Sequence, residues 1–135
     1  MMFLTILRDW YKEIIIDKSR FICTLRKVSD EESAQAFIKE MKKEYWDATH
    51  NCSAYIVGEA AEYQRSSDDG EPSGTAGLPM LEVLRKNNLH NVAVVVTRYF
   101  GGIKLGAGGL IRAYAGCTAE TVKEAGLAKR VLFGY

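Results

Sequence analysis

The sequence predicts an α+β fold, a two-layer sandwich in which a mixed sheet of about four to five strands is covered by three helices. Two patterns support this prediction. Some segments repeat apolar residues every three or four positions, as helices do, and others are short runs rich in β-branched residues, as strands are. With 135 residues, 47% of them hydrophobic, the chain is expected to form one domain over residues 1–135.

The N-terminal half predicts a hairpin followed by a helix. Residues 11–28 contain two β-rich runs that are interrupted around Asp17, so they predict two antiparallel strands. The motif SDEE at residues 29–32 matches a capping box, and Phe37 and Met41 follow it at helical spacing. The expected order is therefore strand, strand, helix.

The C-terminal half alternates strands and helices. Residues 51–57 predict a third strand, and Pro79 suits the first turn of a short helix. The β-branched run at residues 92–96 is typical of a strand that is buried on both faces. A further helix is expected to start near Gly108 and to end at Gly126, and a strand-like segment, KRVLF, follows it.

Composition and hydropathy exclude several classes of protein. With only two prolines and 26% charged residues, the chain is neither disordered nor collagen-like. Its apolar runs are far shorter than the roughly 20 residues that span a bilayer, and its N-terminus lacks the features of a secretory signal. We therefore expect no membrane association and a cytoplasmic location. The odd number of cysteines predicts buried free thiols at Cys23, Cys52 and Cys117.

Charge and glycine are distributed unevenly, although the net charge is only +1. Residues 59–71 carry a net charge of −4, whereas residues 92–135 carry +4. Nine of the 12 glycines lie in two stretches, residues 70–77 and 101–116. Because glycine permits positive φ and close backbone approach, both stretches indicate loops with a special conformation.

The basic stretch contains the loop GGIKLGAGGL, which can bind an anion because exposed amides at a helix start attract negative charge. It matches neither the P-loop nor the dinucleotide fingerprint. Basic and aromatic residues surround it, as in surfaces that bind RNA. The residues predicted to bind RNA or another anion are Arg98, Tyr99, Lys104, Gly106, Gly108, Gly109 and Arg112. In the alternative, the loop is a tight connection, Arg98 pairs with the acidic stretch, and Tyr99 or Phe100 packs in the core.

The acidic stretch DDGEPSGTAG lies in a polar run that is too long for a simple turn, which indicates a functional loop. The residues predicted to form it are Asp68, Asp69, Gly70, Glu71, Pro72, Ser73, Gly74, Thr75 and Gly77. Carboxylates beside hydroxyls can bind a divalent cation or act as an acid and base pair, but the spacing is not that of an EF-hand. The alternative is a loop shaped by its own Asx turns and glycines. No metal or other cofactor is predicted.

His50 and Cys52 are two residues apart on a predicted strand, so they face the same side, as a catalytic base and thiol do. No third positioning group or oxyanion hole is identifiable, and a local hydrogen bond is the favoured interpretation of His50. His50 and the acidic loop together indicate an alternative function, a small hydrolase or phosphate-handling enzyme. It would use His50, Asp68, Asp69 and Glu71.

Three motifs in one order resemble the signature of the IMPACT family: HNCSAYIVG, SDDGEPSGTAGLPMLEVL and VAVVVTRYFGGIKLGAGGLIRAY. The resemblance extends over about residues 12–125. It implies a fold shared by a small-subunit ribosomal protein and the fourth domain of elongation factor G, with a left-handed βαβ crossover. Bacterial members typically continue into a ferredoxin-like domain, which is expected to be absent here because the sequence ends at Tyr135.

The resemblance also implies a role near translation. Eukaryotic members of the family are binding proteins that regulate translation under amino-acid starvation, by competing for the activator of an initiation-factor kinase. Combined with the two loops, this predicts a non-enzymatic binding protein that engages RNA or a ribosome-associated protein through the glycine-rich basic loop and the acidic loop. The oligomeric state is left open.

Overall fold

The computed structural model of the protein describes residues 2–131. Within this range the strands are β1 (Met2–Ile6), β2 (Trp10–Ile16), β3 (Ser19–Lys27), β4 (His50–Val57), β5 (Tyr63–Ser67), β6 (Val92–Tyr99) and β7 (Leu127–Val131). The helices are α1 (Glu31–Glu44), α2 (Gly77–Lys86) and α3 (Gly106–Ala125). The predicted C-terminal strand is confirmed up to the end of β7, and its residues 132–133 lie outside the described residues.

Five strands form the main sheet in the order β2-β3-β6-β4-β5, and β1 pairs with β7 in a separate two-stranded sheet. All these pairings are antiparallel. The predicted α+β class is confirmed, but the sheet is antiparallel rather than mixed. The reason is that β6 lies between β3 and β4 and runs antiparallel to both. Strands β3 and β4, which α1 connects, are therefore parallel to each other but do not pair directly.

Helices cover both faces of the main sheet. On β6, Val94 and Val96 belong to the core beneath α2 and α3, whereas Ala93 and Val95 belong to the core beneath α1. The sheet is therefore the middle of three layers at this strand, where two layers were expected. Burial on both faces explains why β6 is an unbroken β-branched run, as the sequence predicts.

Turns and caps follow local sequence rules. Asp17 and Lys18 have positive φ angles of 46° and 66°, and they form the two-residue turn that joins β2 and β3. The N-cap of α1 is Asp30, whose carboxylate accepts a hydrogen bond from the Ser33 amide at 2.7 Å. The Ser33 hydroxyl in turn accepts from the Asp30 amide. The capping box therefore lies one residue later than predicted.

The sequence does not predict β5, which lies inside the expected long loop. Its sequence, YQRSS, lacks apolar alternation because β5 is mostly exposed and, among the described strands, pairs with β4 alone at the edge of the sheet. The polar run between β4 and α2 is therefore shorter than expected. What remains of it after β5 is the acidic loop.

All three cysteines lie in the core. Cys23, Cys52 and Cys117 are buried free thiols, as predicted. Burial raises the pKa of Cys52 to about 12, so this side chain is a thiol rather than a nucleophilic thiolate at neutral pH. None of the helices within residues 2–131 has the length and hydrophobicity that crossing a bilayer takes.

Candidate functional site

The acidic loop, residues 68–77, is organised by the Asp68 carboxylate. Asp68 accepts hydrogen bonds from the backbone amides of Gly74, Ala76 and Gly77 at 2.9, 3.1 and 2.8 Å. Ala76 is the N-cap of α2 and has no capping side chain, so Asp68 caps this helix from a distance. Burial by itself raises the pKa of Asp68, but the three amides outweigh it and lower the pKa below its usual value. The carboxylate thus stabilises the loop.

Two further side chains of the loop bind the protein itself. The Asp69 carboxylate accepts a hydrogen bond from the Asn51 amide at 2.7 Å, which fixes the loop to β4. The Thr75 hydroxyl donates to the Pro72 carbonyl at 2.6 Å. The polar groups of the acidic loop are therefore largely used within the fold.

The glycines of the acidic loop have different roles. Gly70 and Gly74 have positive φ angles of 88° and 79°, which favour glycine. A Cβ on Gly77 would lie 2.8 Å from the Ser67 amide nitrogen, so the start of α2 packs directly on the end of β5. Ser73 is exposed at the surface of the loop.

Glu71 connects the acidic loop to the sheet. Its side chain is 2% exposed and accepts two hydrogen bonds from the Arg98 guanidinium, at 2.7 and 2.9 Å. The Tyr114 hydroxyl donates to the same carboxylate, and His50 Nε2 lies 3.3 Å from it. The other ring nitrogen of His50 lies 2.8 Å from the Asp69 carbonyl oxygen. We call the side chains of His50, Glu71, Arg98 and Tyr114 the buried cluster.

Glu71 and Arg98 neutralise each other's charge in the buried cluster. Burial lowers the pKa of Arg98, but the bonds with Glu71 outweigh this effect and raise it. Burial raises the pKa of Tyr114, and its neighbours Cys52 and Glu71 raise it further, so the phenol stays protonated. Arg98 is thus a cation that neutralises Glu71. Removing either partner would leave an unpaired charge in the core.

A cleft of about 280 Å³ adjoins the buried cluster. It is lined by Glu71 and Pro72 of the acidic loop, by Arg98 and Phe100 near the end of β6, and by Lys104. The first turn of α3 completes the lining. Lys104 and Phe100 are exposed, whereas Arg98 is only 7% exposed. The cleft therefore combines a buried, neutralised ion pair with an exposed cation and an exposed aromatic ring, and the centre of that ring lies 5.5 Å from the Arg98 guanidinium carbon.

The glycine loop, residues 101–109, leads from the sheet into α3. A Cβ on Gly101 would lie 2.1 Å from the Lys18 carbonyl oxygen, so the loop contacts the β2–β3 turn too closely for a side chain. The helix starts at Gly106, which has a φ of +75°, rather than at Gly108 as predicted. The amides of Gly106 and Gly108 therefore lie in the first turn of α3, where they have no acceptor within the helix. The Gly109 amide is the first that is placed to donate a hydrogen bond within the helix.

The structure brings together part of the set predicted to bind RNA or an anion. Arg98, Lys104 and Gly106 line the cleft. Gly109 and Arg112 line a second cleft of about 230 Å³ nearby. Leu105 lines both spaces, so the two clefts flank the start of α3.

Arg98 and Tyr99 point to opposite faces of β6 because successive strand residues alternate. Tyr99 donates a hydrogen bond to Asp47 at 2.9 Å, and the Arg20 guanidinium carbon lies 5.1 Å from the centre of its ring. Arg98 instead pairs with Glu71, which is the alternative that the sequence left open. Of the two residues, Arg98 lines the cleft and Tyr99 does not.

The residues predicted for the alternative enzyme do not form one site of side chains that are free to act on a substrate. These residues are His50, Asp68, Asp69 and Glu71. His50 and Glu71 are in contact, but the carboxylates of Asp68 and Asp69 accept backbone hydrogen bonds. Within residues 2–131, no three His, Cys, Asp or Glu side chains are grouped so as to hold a metal ion.

Tyr114 and Ser19 bind the Glu71–Arg98 pair but are not among the site residues predicted from the sequence. Tyr114 fits the apolar periodicity of α3, and Ser19 lies at the hairpin turn, where its hydroxyl accepts from Arg98 at 3.2 Å. The chemistry of tyrosine could have indicated this site. A tyrosine on the core face of a helix needs a partner for its hydroxyl, which implies a buried polar group nearby.

Comparison with known proteins identifies the family. The Impact N-terminal domain matches residues 17–122 of the chain, which include the cleft and both loops. The chain belongs to the IMPACT family. The family member YvyE of Bacillus subtilis is 61% identical over 120 residues, which make up 89% of this chain and 55% of YvyE. YigZ of Escherichia coli is 43% identical over 81% of this chain and 54% of its own length. This IMPACT chain thus spans about half the length of these curated relatives.

Solved structures share the fold of this IMPACT family member. The crystal structure of a protein described as hypothetical has a TM-score of 0.91 and 36% identity, over 96% of this chain and 64% of that chain. The two-domain translational regulator Yih1 has a TM-score of 0.54 and 28% identity, over 91% of this chain and 47% of its own. The family resemblance found in the sequence is confirmed.

Proposed function

We propose that this domain is a non-enzymatic binding module that acts in translation, in the cytoplasm, and engages the phosphate groups of RNA at the cleft. The observation that carries the proposal is the chemistry of the lining. Lys104 and the first turn of α3 face a space in which the only carboxylate among the lining residues, Glu71, is neutralised by Arg98.

Electrostatics favours an anion in this cleft. The N-terminus of a helix carries a partial positive charge and unpaired amides, both of which stabilise a phosphate. No side chain among residues 2–131 caps the start of α3, so these amides remain available to a ligand. The exposed Lys104 ammonium adds a full positive charge beside them.

Apolar groups beside the cations favour a nucleic acid over a simple anion. Phe100 is 46% exposed and lines the cleft, and Ile103 is 42% exposed in the adjoining loop. An exposed aromatic ring beside a basic groove can stack on an unpaired base, which is how many proteins hold single-stranded RNA. Pro72 of the acidic loop lines the same space and would limit how far a strand can enter.

A place in translation is supported by the relatives. The structurally similar Yih1 is described as a translational regulator, and family members share the domain that contains the cleft. Since fold likeness alone does not transfer a function, the proposal depends on the site. If RNA does not bind, the expected partner is a ribosome-associated protein.

The test is RNA binding by the 135-residue chain, measured as the fluorescence anisotropy of labelled oligouridine at several salt concentrations. Lys104→Gln should weaken binding and reduce the slope of log affinity against log salt by about 0.7, because one phosphate contact is lost. The control is Lys86→Gln, since Lys86 is an exposed lysine in the last turn of α2. Equal affinities and slopes for all three proteins would contradict the proposal.

A small hydrolase or phosphate-handling enzyme is the second candidate function, because His50 Nε2 lies 3.3 Å from Glu71 in the buried cluster. Catalysis would require Glu71 to act while it accepts bonds from Arg98 and Tyr114. This engagement supports a binding role instead. Phosphate release from nucleoside triphosphates that is present in the wild-type protein and lost in His50→Asn would favour the enzyme.

A further inference from the structure

A groove of about 330 Å³ lies between α1 and the edge of the main sheet formed by β5. Its lining includes Ile38 and Lys42 of α1, Ser53 and Tyr55 of β4, and Arg65 and Ser67 of β5. The register pairs Tyr55 with Arg65 and Ser53 with Ser67, so these four side chains lie on one face of the sheet. None of the lining residues belongs to the cleft.

The outer side of β5 has no strand partner within the described part of the chain. The strand pairs with β4 on one side only, and it ends the order of the main sheet. An edge strand presents a row of unpaired amides and carbonyls, which is a template for another extended chain. β5 is mostly exposed, and its largest side chain, Tyr63, is 52% exposed.

The charged side chains that line the groove are both cations. Arg65 is exposed and makes no salt bridge with any residue between 2 and 131. Lys42 has one ion pair, at 3.7 Å from the Asp69 carboxylate, and that carboxylate also accepts a hydrogen bond from Asn51. The Glu31 carboxylate accepts a hydrogen bond from the Tyr55 hydroxyl. Arg65 is therefore the lining cation that the described residues leave without an ion pair.

We infer that this groove is the docking site for an extended, acidic segment of a protein partner, which adds as a strand to β5. Strand addition satisfies the unpaired backbone groups of β5, and alternate side chains of the segment point into the groove. Carboxylates of the segment would pair with Arg65 and Lys42, and an apolar residue between them would contact Ile38. The complementary charge and the open backbone edge together favour a peptide over RNA, because RNA cannot pair with a strand edge.

The experiment starts from random linear peptides displayed on phage and selected on the 135-residue chain. Selected peptides should be rich in Asp and Glu that alternate with apolar residues. In anisotropy measurements with a synthetic selected peptide, Arg65→Glu should weaken binding about tenfold or more. Lys86→Glu, a matched reversal of an exposed charge in α2, should leave it unchanged. Peptides without carboxylates, no selection at all, or equal binding by the two variants would overturn the inference.

A second measurement separates strand addition from attraction between charges alone. The selected peptide is synthesised with N-methyl groups on alternate amides, in the two possible offsets. Strand addition predicts that one offset abolishes binding and the other retains it, since only alternate amides of an added strand face β5. Equal binding by both offsets would overturn it. Lys104→Gln tests the RNA proposal separately, because Lys104 does not line this groove.

Discussion

The acidic loop and the glycine loop flank one cleft but use their polar groups in opposite ways. In the acidic loop, Asp68 caps α2 and Glu71 joins the buried cluster, so the carboxylates bind the protein itself. In the glycine loop, Lys104 is exposed, and no side chain in the described part of the molecule caps the first turn of α3. One loop uses its polar groups within the fold, and the other leaves polar groups exposed, which is why we propose that it binds the ligand.

This difference shows why composition alone misleads about function. A run of carboxylates, hydroxyls and glycines resembles a metal or catalytic site, but each buried carboxylate must find a donor, and here the nearest donors are backbone amides and Arg98. The glycine loop carries fewer charged residues. It is nevertheless the better candidate for binding, because its groups are not already satisfied.

The largest expected effect comes from breaking the buried ion pair. Glu71→Leu or Arg98→Met alone should lower the free energy of unfolding by about 3–5 kcal/mol, because each leaves an uncompensated buried charge. The double variant should be destabilised less than either single variant. Urea unfolding followed by circular dichroism measures all three. If each single variant costs under about 1 kcal/mol, the acidic loop is not held by this pair.

Two glycine substitutions distinguish a close backbone contact from an open position in the glycine loop. Gly101→Ala should cost about 1–3 kcal/mol, because its Cβ would overlap the Lys18 carbonyl oxygen and the backbone would have to shift. Gly108→Ala should stabilise by up to about 1 kcal/mol, since alanine favours a helix and only the mobile end of Arg112 is nearby, at 3.2 Å. Thermal unfolding distinguishes them. Equal effects would show that the close approach at Gly101 is not required.

Removing the cap of α2 should have a smaller, pH-dependent effect. Asp68→Ala should cost about 1–2 kcal/mol near neutral pH, because three backbone amides lose their acceptor. The fold lowers the pKa of Asp68 below its usual 3.8, so its stabilisation is present above that pH and is lost as the pH falls further. Unfolding free energies of the wild-type and Asp68→Ala proteins should therefore converge in acid. A constant difference at all pH values would contradict this assignment.

Much of the fold could be predicted from the sequence because local patterns determine it. The hairpin turn at Asp17 and the buried run of β6 follow from spacing and β-branching. The polar edge strand β5 could not be predicted, because it lacks an apolar face. The antiparallel pairing also depends on the insertion of β6 between β3 and β4, which no local pattern encodes.

The candidate site was less predictable than the fold. The motifs place Arg98 and Lys104 close together in sequence, but the partner of Arg98 is Glu71, which is 27 residues away. The sequence also places Tyr99 beside Arg98, although strand alternation separates their side chains. Tertiary contacts of this kind determine which polar groups have hydrogen-bond partners within the fold and which remain free to bind a ligand.

The most direct test of the division between the two loops is a titration of the isotope-labelled protein with oligouridine, followed by backbone amide chemical shifts. We predict that the amides of Phe100, Lys104, Gly106 and Gly108 shift most. The amides of Gly77, at the start of α2, and of Asp68, which caps it, should shift little. Shifts concentrated in the acidic loop, with the glycine loop unchanged, would show that oligouridine binds at the acidic loop instead of the glycine loop.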